Sequence, residues 1–156
     1  MREPRRTQGA RAPLFDRLVD LDPRSATEAV PLRVLDRDGL LASGRREVGR
    51  LLNTRCTLTL EELDGRARTV LEYGLPDFSH LHTRDPRAQE ALAELIRETV
   101  AAYEPRLRQV RIAVEPLRNS QRELLVRVDA LLVIGDVTEA VSFPVPIKDA
   151  FSGEEP

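Results

Sequence analysis

The chain has 156 residues, 41% of them hydrophobic and 32% charged, enough for one domain of ordinary size with a real core and a soluble surface. Aromatic residues make up only 4% and tryptophan is absent, so the core is aliphatic. The formal net charge of −2 gives no global signal for nucleic acid or an anionic membrane surface, and a single cysteine, Cys56, rules out an intrachain disulfide or a cysteine zinc cluster.

The basic residues are nearly all arginine, with Lys148 the one lysine. Arginine suits bidentate pairing with carboxylates at interfaces, although genomic base composition produces the same bias. The N-terminus carries arginines with no apolar run behind them, unlike a secretory signal. The longest uninterrupted apolar run, 130–134, is far too short to span a bilayer. These features predict a soluble, cytoplasmic protein without direct membrane insertion, and the lone cysteine fits a reducing compartment.

Residues 1–13 carry four arginines against one glutamate and are broken by Pro4 and Pro13. They read as a flexible basic arm, because they bring too little apolar surface to offset the entropy of ordering. The spacing of Leu14, Phe15, Leu18 and Leu21 predicts a short amphipathic helix, ended by Asp22-Pro23. Such a helix is too short to stand alone and must pack on its own domain or on another subunit. Residues 24–41 read as a connector with a short extended piece at 32–35. Ser43 is placed to cap a helix over 45–53, with Val48, Leu51 and Leu52 inward. Gly44 and Gly49 weaken that helix.

Thr59-Leu60-Glu61-Glu62 has capping-box spacing and opens another short helix. The helical pattern resumes through Val70, Leu71 and Tyr73, with Gly74 as a left-handed C-cap and Pro76 just beyond. Asp85-Pro86 is a cap followed by proline at the first helical position, opening the best helix of the chain, 86–103. Its apolar stripe is Ala88, Leu92, Leu95, Ile96, Thr99, Val100 and Tyr103. After Glu104-Pro105 the period changes from 3.6 to 2. Val110, Ile112 and Val114 mark a first strand. Leu124, Val126, Val128, Ala130, Leu132 and Ile134 mark a second, and Val137, Val141, Phe143 and Val145 a third. Helices first and strands last predict an α+β domain over 14–150, with one main helix against a three-stranded antiparallel meander and a flexible tail at 151–156. Pro144 and Pro146 make the third strand a poor central strand and place it at an edge.

Catalytic patterns are sparse. His80 and His82, two apart in a loop, need a third ligand such as Asp77 or Asp85 before they can hold a metal, and nothing else has ligand spacing. Cys56 has Arg55 beside it but no neighbouring histidine to act as base. The acid pairs Glu61/Glu62 and Glu154/Glu155 do not converge across a cleft as glycoside hydrolysis requires. There is no glycine-rich phosphate loop. No cofactor, metal or catalytic residue is predicted. The one pair in a specific setting is Glu104 and Arg106 on either side of Pro105, at the bend from helix to strand, with Arg55 as a second candidate for the same network.

Four phrases in order carry a resemblance: Leu14-Phe15-Asp16-Arg17-Leu18, Leu51-Leu52-Asn53-Thr54-Arg55, Tyr73-Gly74-Leu75-Pro76-Asp77-Phe78-Ser79 and Glu104-Pro105-Arg106-Leu107. Together with the three-strand end they resemble the TssE subunits of type VI secretion baseplates, within the family of contractile-phage-tail baseplate wedge proteins. The Glu-Pro-Arg triplet is that family's signature, while Cys56 and the glycines of 42–49 depart from it. The resemblance implies a non-catalytic wedge subunit that binds TssF and TssG, sits near TssK, and templates the TssB/TssC sheath by strand addition to a free sheet edge. It implies a cytoplasmic baseplate docked to the inner membrane complex, with Glu104, Pro105, Arg106, Arg55, Leu14, Phe15 and Leu18 as structural or partner-binding residues. A phage-like contractile particle is the alternative setting. The "lysozyme-like" label carried by the family raises a muramidase reading, against which the lack of a paired-carboxylate cleft argues. The short basic arm and slightly acidic chain argue against a nucleic-acid role.

Overall fold

Asp85 caps the longest helix, accepting a hydrogen bond from the Arg87 N–H at 3.0 Å, and Pro86 occupies the first turn, where its missing N–H costs nothing. A computed structural model describes residues 10–18, 23–25, 34–79, 85–117, 123–135 and 137–148. In chain order the elements are β1 (Ala10–Arg11), α1 (Leu14–Leu18), β2 (Val34–Leu35), α2 (Arg37–Asn53), α3 (Leu60–Leu63), a 3₁₀ turn (Val70–Glu72), α4 (Pro86–Tyr103), β3 (Leu107–Pro116), β4 (Glu123–Ile134) and β5 (Val137–Lys148). The expected α+β order holds. The C-terminal strands form an antiparallel sheet β3-β4-β5, and β1 pairs with β2 in a separate two-stranded ribbon.

The alternation seen in sequence is the alternation of burial. Leu124, Val126, Val128, Ala130 and Leu132 of β4 face inward, joined by Val141, Phe143, Val145 and Ile147 of β5. Against them lie Leu92, Leu95, Ile96 and Val100 of α4. Burying each such side chain contributes about 1.5–3 kcal/mol. One helix against the sheet was expected; there are two. Val48, Leu51 and Leu52 of α2 join the same core, and α2 packs on β5.

Several local expectations are corrected. Helix α2 begins eight residues before 45, because Asp36 rather than Ser43 is its cap, accepting from the Gly39 N–H at 2.9 Å. Ser43 is instead buried within the helix. Gly44 is a packing device: a Cβ there would meet the Phe143 ring at 3.3 Å, so its absence lets α2 settle close to β5. The capping box at Thr59 forms as expected. The pattern at 70–73 does not make an inward-facing helix. It makes a single 3₁₀ turn with a second capping box, Thr69 with Glu72, and leaves Val70 and Leu71 exposed. Gly74, at φ +109, is no helix cap; it lies against the Thr54 carbonyl, where a Cβ would clash.

Of the segment read as a flexible arm, Ala10 and Arg11 pair with Leu35 and Val34, and Ala12 is buried. Residues 1–9, the tail 151–156, and His80 and His82 lie outside the described residues.

Candidate functional site

Three of the four phrases meet in space. The backbone of Arg55 bridges to Leu75 in parallel. Leu75 N–H donates to the Thr54 carbonyl at 2.9 Å, and Cys56 N–H to the Leu75 carbonyl at 2.8 Å. The Arg55 guanidinium lies 4.5 Å over the Phe78 ring, a cation–π contact, and reaches toward the Leu52 carbonyl. Tyr73, at the start of the third phrase, stacks edge-on with Tyr103 at 5.2 Å, one residue before the Glu104 bend.

At the bend, Glu104 ends α4 by donating its N–H to the Val100 carbonyl at 2.8 Å, and its own carbonyl accepts from Leu107 N–H at 2.9 Å. The residue is only 8% exposed, and its carboxylate accepts from Arg106 through Nη2 at 2.7 Å and Nε at 3.1 Å. The Arg106 carbonyl accepts from Val133 N–H of β4 at 2.8 Å, so the bend is tied to the central strand as well as to itself. Burial pushes the Glu104 carboxyl above its usual range; the Arg106 hydrogen bond and charge oppose this, and the Glu47 charge adds to it. Glu47, buried on α2, bonds to Arg50 at 3.1 Å. Burial, with the charges of Glu47 and Glu104, also holds the Tyr73 phenol above its usual value. The acid that sequence reasoning missed is therefore Glu47. It lies far from Glu104 in sequence, and only the α2–α4 packing brings the two together. Arg55 sits on Phe78.

Leu14, Phe15 and Leu18 form a helix but turn outward. The residue that turns inward is Asp16, buried, accepting from Ser43 Oγ at 2.5 Å and ion-paired with Arg46. Asp77 folds onto its own loop, accepting from Ser79 N–H at 2.9 Å and Ser79 Oγ at 3.0 Å. Among the described residues no group of three or more His, Cys, Asp or Glu could hold a metal ion, and no helix is long and apolar enough to cross a membrane.

The sheet has two terminal strands, β3 and β5. Strand β3 is interrupted by a bulge between Arg108 and Arg111, with Gln109 at φ +53, a distortion that blunts an edge. Strand β5 pairs with β4 in unbroken register from Val137 to Lys148. Pro144 and Pro146 have no N–H, so in that ladder they occupy the positions directed away from β4. The Pro146 carbonyl accordingly accepts from Asn53 Nδ2 at 3.1 Å. By the same parity the backbone of Thr138, Ala140 and Ser142 faces outward. Beside this stretch runs a groove of about 520 Å³ between α2 and β5, lined by Leu41, Ala42, Arg45, Val141 and Phe143 among others.

A family model described as "Baseplate wedge protein gp25" matches residues 39–136. The chain belongs to the baseplate wedge protein gp25 family. The matched span runs from the first turn of α2 through β4. It contains the Arg55–Phe78 contact, Gly74 and the Glu104–Arg106 bend, but neither α1 nor β5. Among solved structures, a chain of "The baseplate complex from the type VI secretion system" is similar at 16% identity and a TM-score of 0.50, over 71% of this chain and 96% of that one. At that identity the likeness is one of fold. No curated protein matches the wedge chain in sequence.

Proposed function

We propose that this wedge protein is a non-catalytic structural subunit of a type VI secretion baseplate, of the TssE kind, acting in the cytoplasm at the inner membrane complex. In this reading it binds TssF and TssG, with TssK as a further neighbour, and templates the TssB/TssC sheath by accepting a strand on the outward half of β5. The observation that carries the reading is the family match over residues 39–136 together with an edge strand left open only at its first half. Backbone groups at Thr138, Ala140 and Ser142 offer the hydrogen bonds, and the adjoining groove takes side chains of the incoming strand. The Glu104–Pro105–Arg106 bend sets the angle at which the sheet leaves α4. Glu47 and Glu104 are each paired with an arginine, Arg50 and Arg106, where α2 packs near the end of α4, an arrangement that suits a clasp and not a cleft for sugar hydrolysis.

The test copies a device already in β5. Ala140→Pro removes an outward N–H without touching the ladder to β4, so the fold is expected to lose about 1 kcal/mol or less while sheath assembly in cells is lost. Normal sheaths in a strain lacking the gene would sink the templating role, and cell-wall hydrolysis lost on removing one carboxylate would sink the non-catalytic one. The family description covers baseplate wedges as such, which favours equally a phage-like contractile particle; the neighbouring genes decide between the two.

A further inference from the structure

Helix α2 does more than cover the sheet; it overhangs the open side of β5. Its N-terminal end is clipped to that strand by the ion pair Arg37–Glu139. Its C-terminal end is clipped by Asn53, which donates to the outward Pro146 carbonyl at 3.1 Å. From 37 to 53 the helix rises about 24 Å, and from 139 to 146 the strand advances about 23 Å. The two therefore run in step, with Leu41 level with Val141 and Arg45 level with Phe143. The 3.3 Å approach that a Cβ on Gly44 would make to the Phe143 ring agrees with that alignment. Leu41, Arg45, Gly49 and Asn53 follow one another at i, i+4 spacing, in one row along the helix. Leu41, Ala42 and Arg45 wall the groove beside β5, and at Gly49 the row is open, since a Cβ there would meet nothing within 4 Å.

The other charges of α2 all have partners. Arg37 pairs with Glu139 and lies 3.8 Å from Asp38, Arg46 pairs with Asp16, and Arg50 with Glu47. Arg45 is exposed and, among the described residues, makes no ion pair. A strand added to β5 would change its surroundings. Residues directly opposite in a sheet point to the same face, so guest residues opposite Val141 and Phe143 turn toward α2, beneath Leu41 and Arg45, and take Arg45 out of water. A guanidinium covered without an acceptor costs far more than one left exposed. We infer that Arg45 selects the strand that β5 accepts: a segment with an apolar side chain opposite Val141 and an aspartate or glutamate two residues along, opposite Phe143. An acid on the other side, opposite Glu139, would meet a like charge, so only one order of the two residues fits. A second copy of this chain, paired β5 to β5, would bring its own α2 over the same edge, and the two helices would contend for one groove. The inference rests on the strand-addition reading, of which it supplies the chemistry of the guest.

The test measures binding of purified TssB–TssC sheath subunits from the same gene cluster to the full chain. Arg45→Glu is expected to weaken binding about tenfold or more with unchanged thermal unfolding, and Arg45→Lys to keep most of it. Changing one strand carboxylate of the sheath subunits to lysine is expected to restore binding by the Arg45→Glu chain and not by the Ala140→Pro chain. Arg87→Glu, at an exposed position of α4, which packs toward β3, is expected to bind like the unaltered chain. Equal weakening by Arg87→Glu would reduce Arg45 to a general charge effect and overturn the inference. If Ala140→Pro abolishes binding while Arg45→Glu leaves it unchanged, Arg45 does not select the strand, and the strand-addition reading stands. If the unaltered chain does not bind, or Ala140→Pro binds equally well, the strand-addition reading fails and the inference with it. Concentration-dependent dimerisation abolished by Ala140→Pro would overturn both by assigning the edge to a second copy.

Discussion

Glu104 and Asp16 are both buried carboxylates paired with arginine, yet they serve opposite ends. Glu104 sits in the seam between α4 and the sheet, paired with Arg106 two residues away, and keeps apolar surface in by holding a bend. Asp16 sits at the foot of a five-residue helix, paired across the fold with Arg46, and keeps apolar surface out by anchoring the polar side. The contrast teaches that a buried ion pair specifies orientation more than it adds stability. Whether that orientation serves the fold or a partner depends on what stands on the other side of the helix.

The largest effect should come from the inner clasp. Glu104→Ala leaves Arg106 half-buried without its carboxylate and is expected to cost about 3–5 kcal/mol in chemical denaturation; a loss no larger than that of an exposed pair would show that the seam does not depend on the charge. Gly74→Ala, which strains a positive φ and presses on the Thr54 carbonyl, is expected to cost about 3 kcal/mol and to loosen the Arg55–Phe78 contact. Asp16→Ala should be gentler, about 1.5–3 kcal/mol. Its signature is local: faster hydrogen exchange across 14–18 while α4 stays protected, and exchange that rises equally in both would erase the distinction between the two acids. Thr59→Ala, which removes the α3 capping box from both regions' concern, should cost only about 1 kcal/mol.

The pH dependence separates Glu104 from the two capping-box glutamates, Glu62 and Glu72. Because burial raises the Glu104 carboxyl in the folded state, that state binds its proton more tightly than the unfolded chain does. The contribution of Glu104 is therefore most favourable below the unfolded carboxylate range and is lost as pH rises through the raised folded value. Glu62 and Glu72, held low by their hydrogen bonds to Thr59 and Thr69, act in the other direction: their contributions are present above the unfolded carboxylate range and lost as pH falls through the depressed folded values. Glu104→Gln should remove the decline on the high-pH side of the melting-temperature profile and leave the acid limb in place. A decline that persists in the variant would mean another group carries it.

What could be read from sequence follows the range of the forces involved. Helix α4 and the three strands announce themselves because their apolar periods are long and their caps and turns are local, as with Asp85-Pro86 and Gly135. The start of α2 is hidden because residues 24–41 show no clear period and hold Pro31 and Gly39, and the reason for Gly44 lies in Phe143 nearly a hundred residues away. Val70 and Leu71 have helical spacing but belong to a turn closed by Thr69 and Glu72. At the candidate site the Glu104–Arg106 pair was visible because it is local, while Glu47 was not. The apolar residues of α1 have helical spacing, but their outward direction depends on Ser43 and Arg46, which no pattern within 14–18 contains.

Pro144 and Pro146 carry a consequence for any strand laid along β5. Over Thr138, Ala140 and Ser142 an incoming backbone finds a donor and an acceptor at each outward residue; over the prolines it finds acceptors alone, and the one at Pro146 is already taken by Asn53. A guest strand that slid two residues toward the C-terminal end would forfeit a donor at once, and a second step would forfeit another. For the proposed strand addition, the proline pair would act as a phase stop, setting where along the edge a guest strand begins.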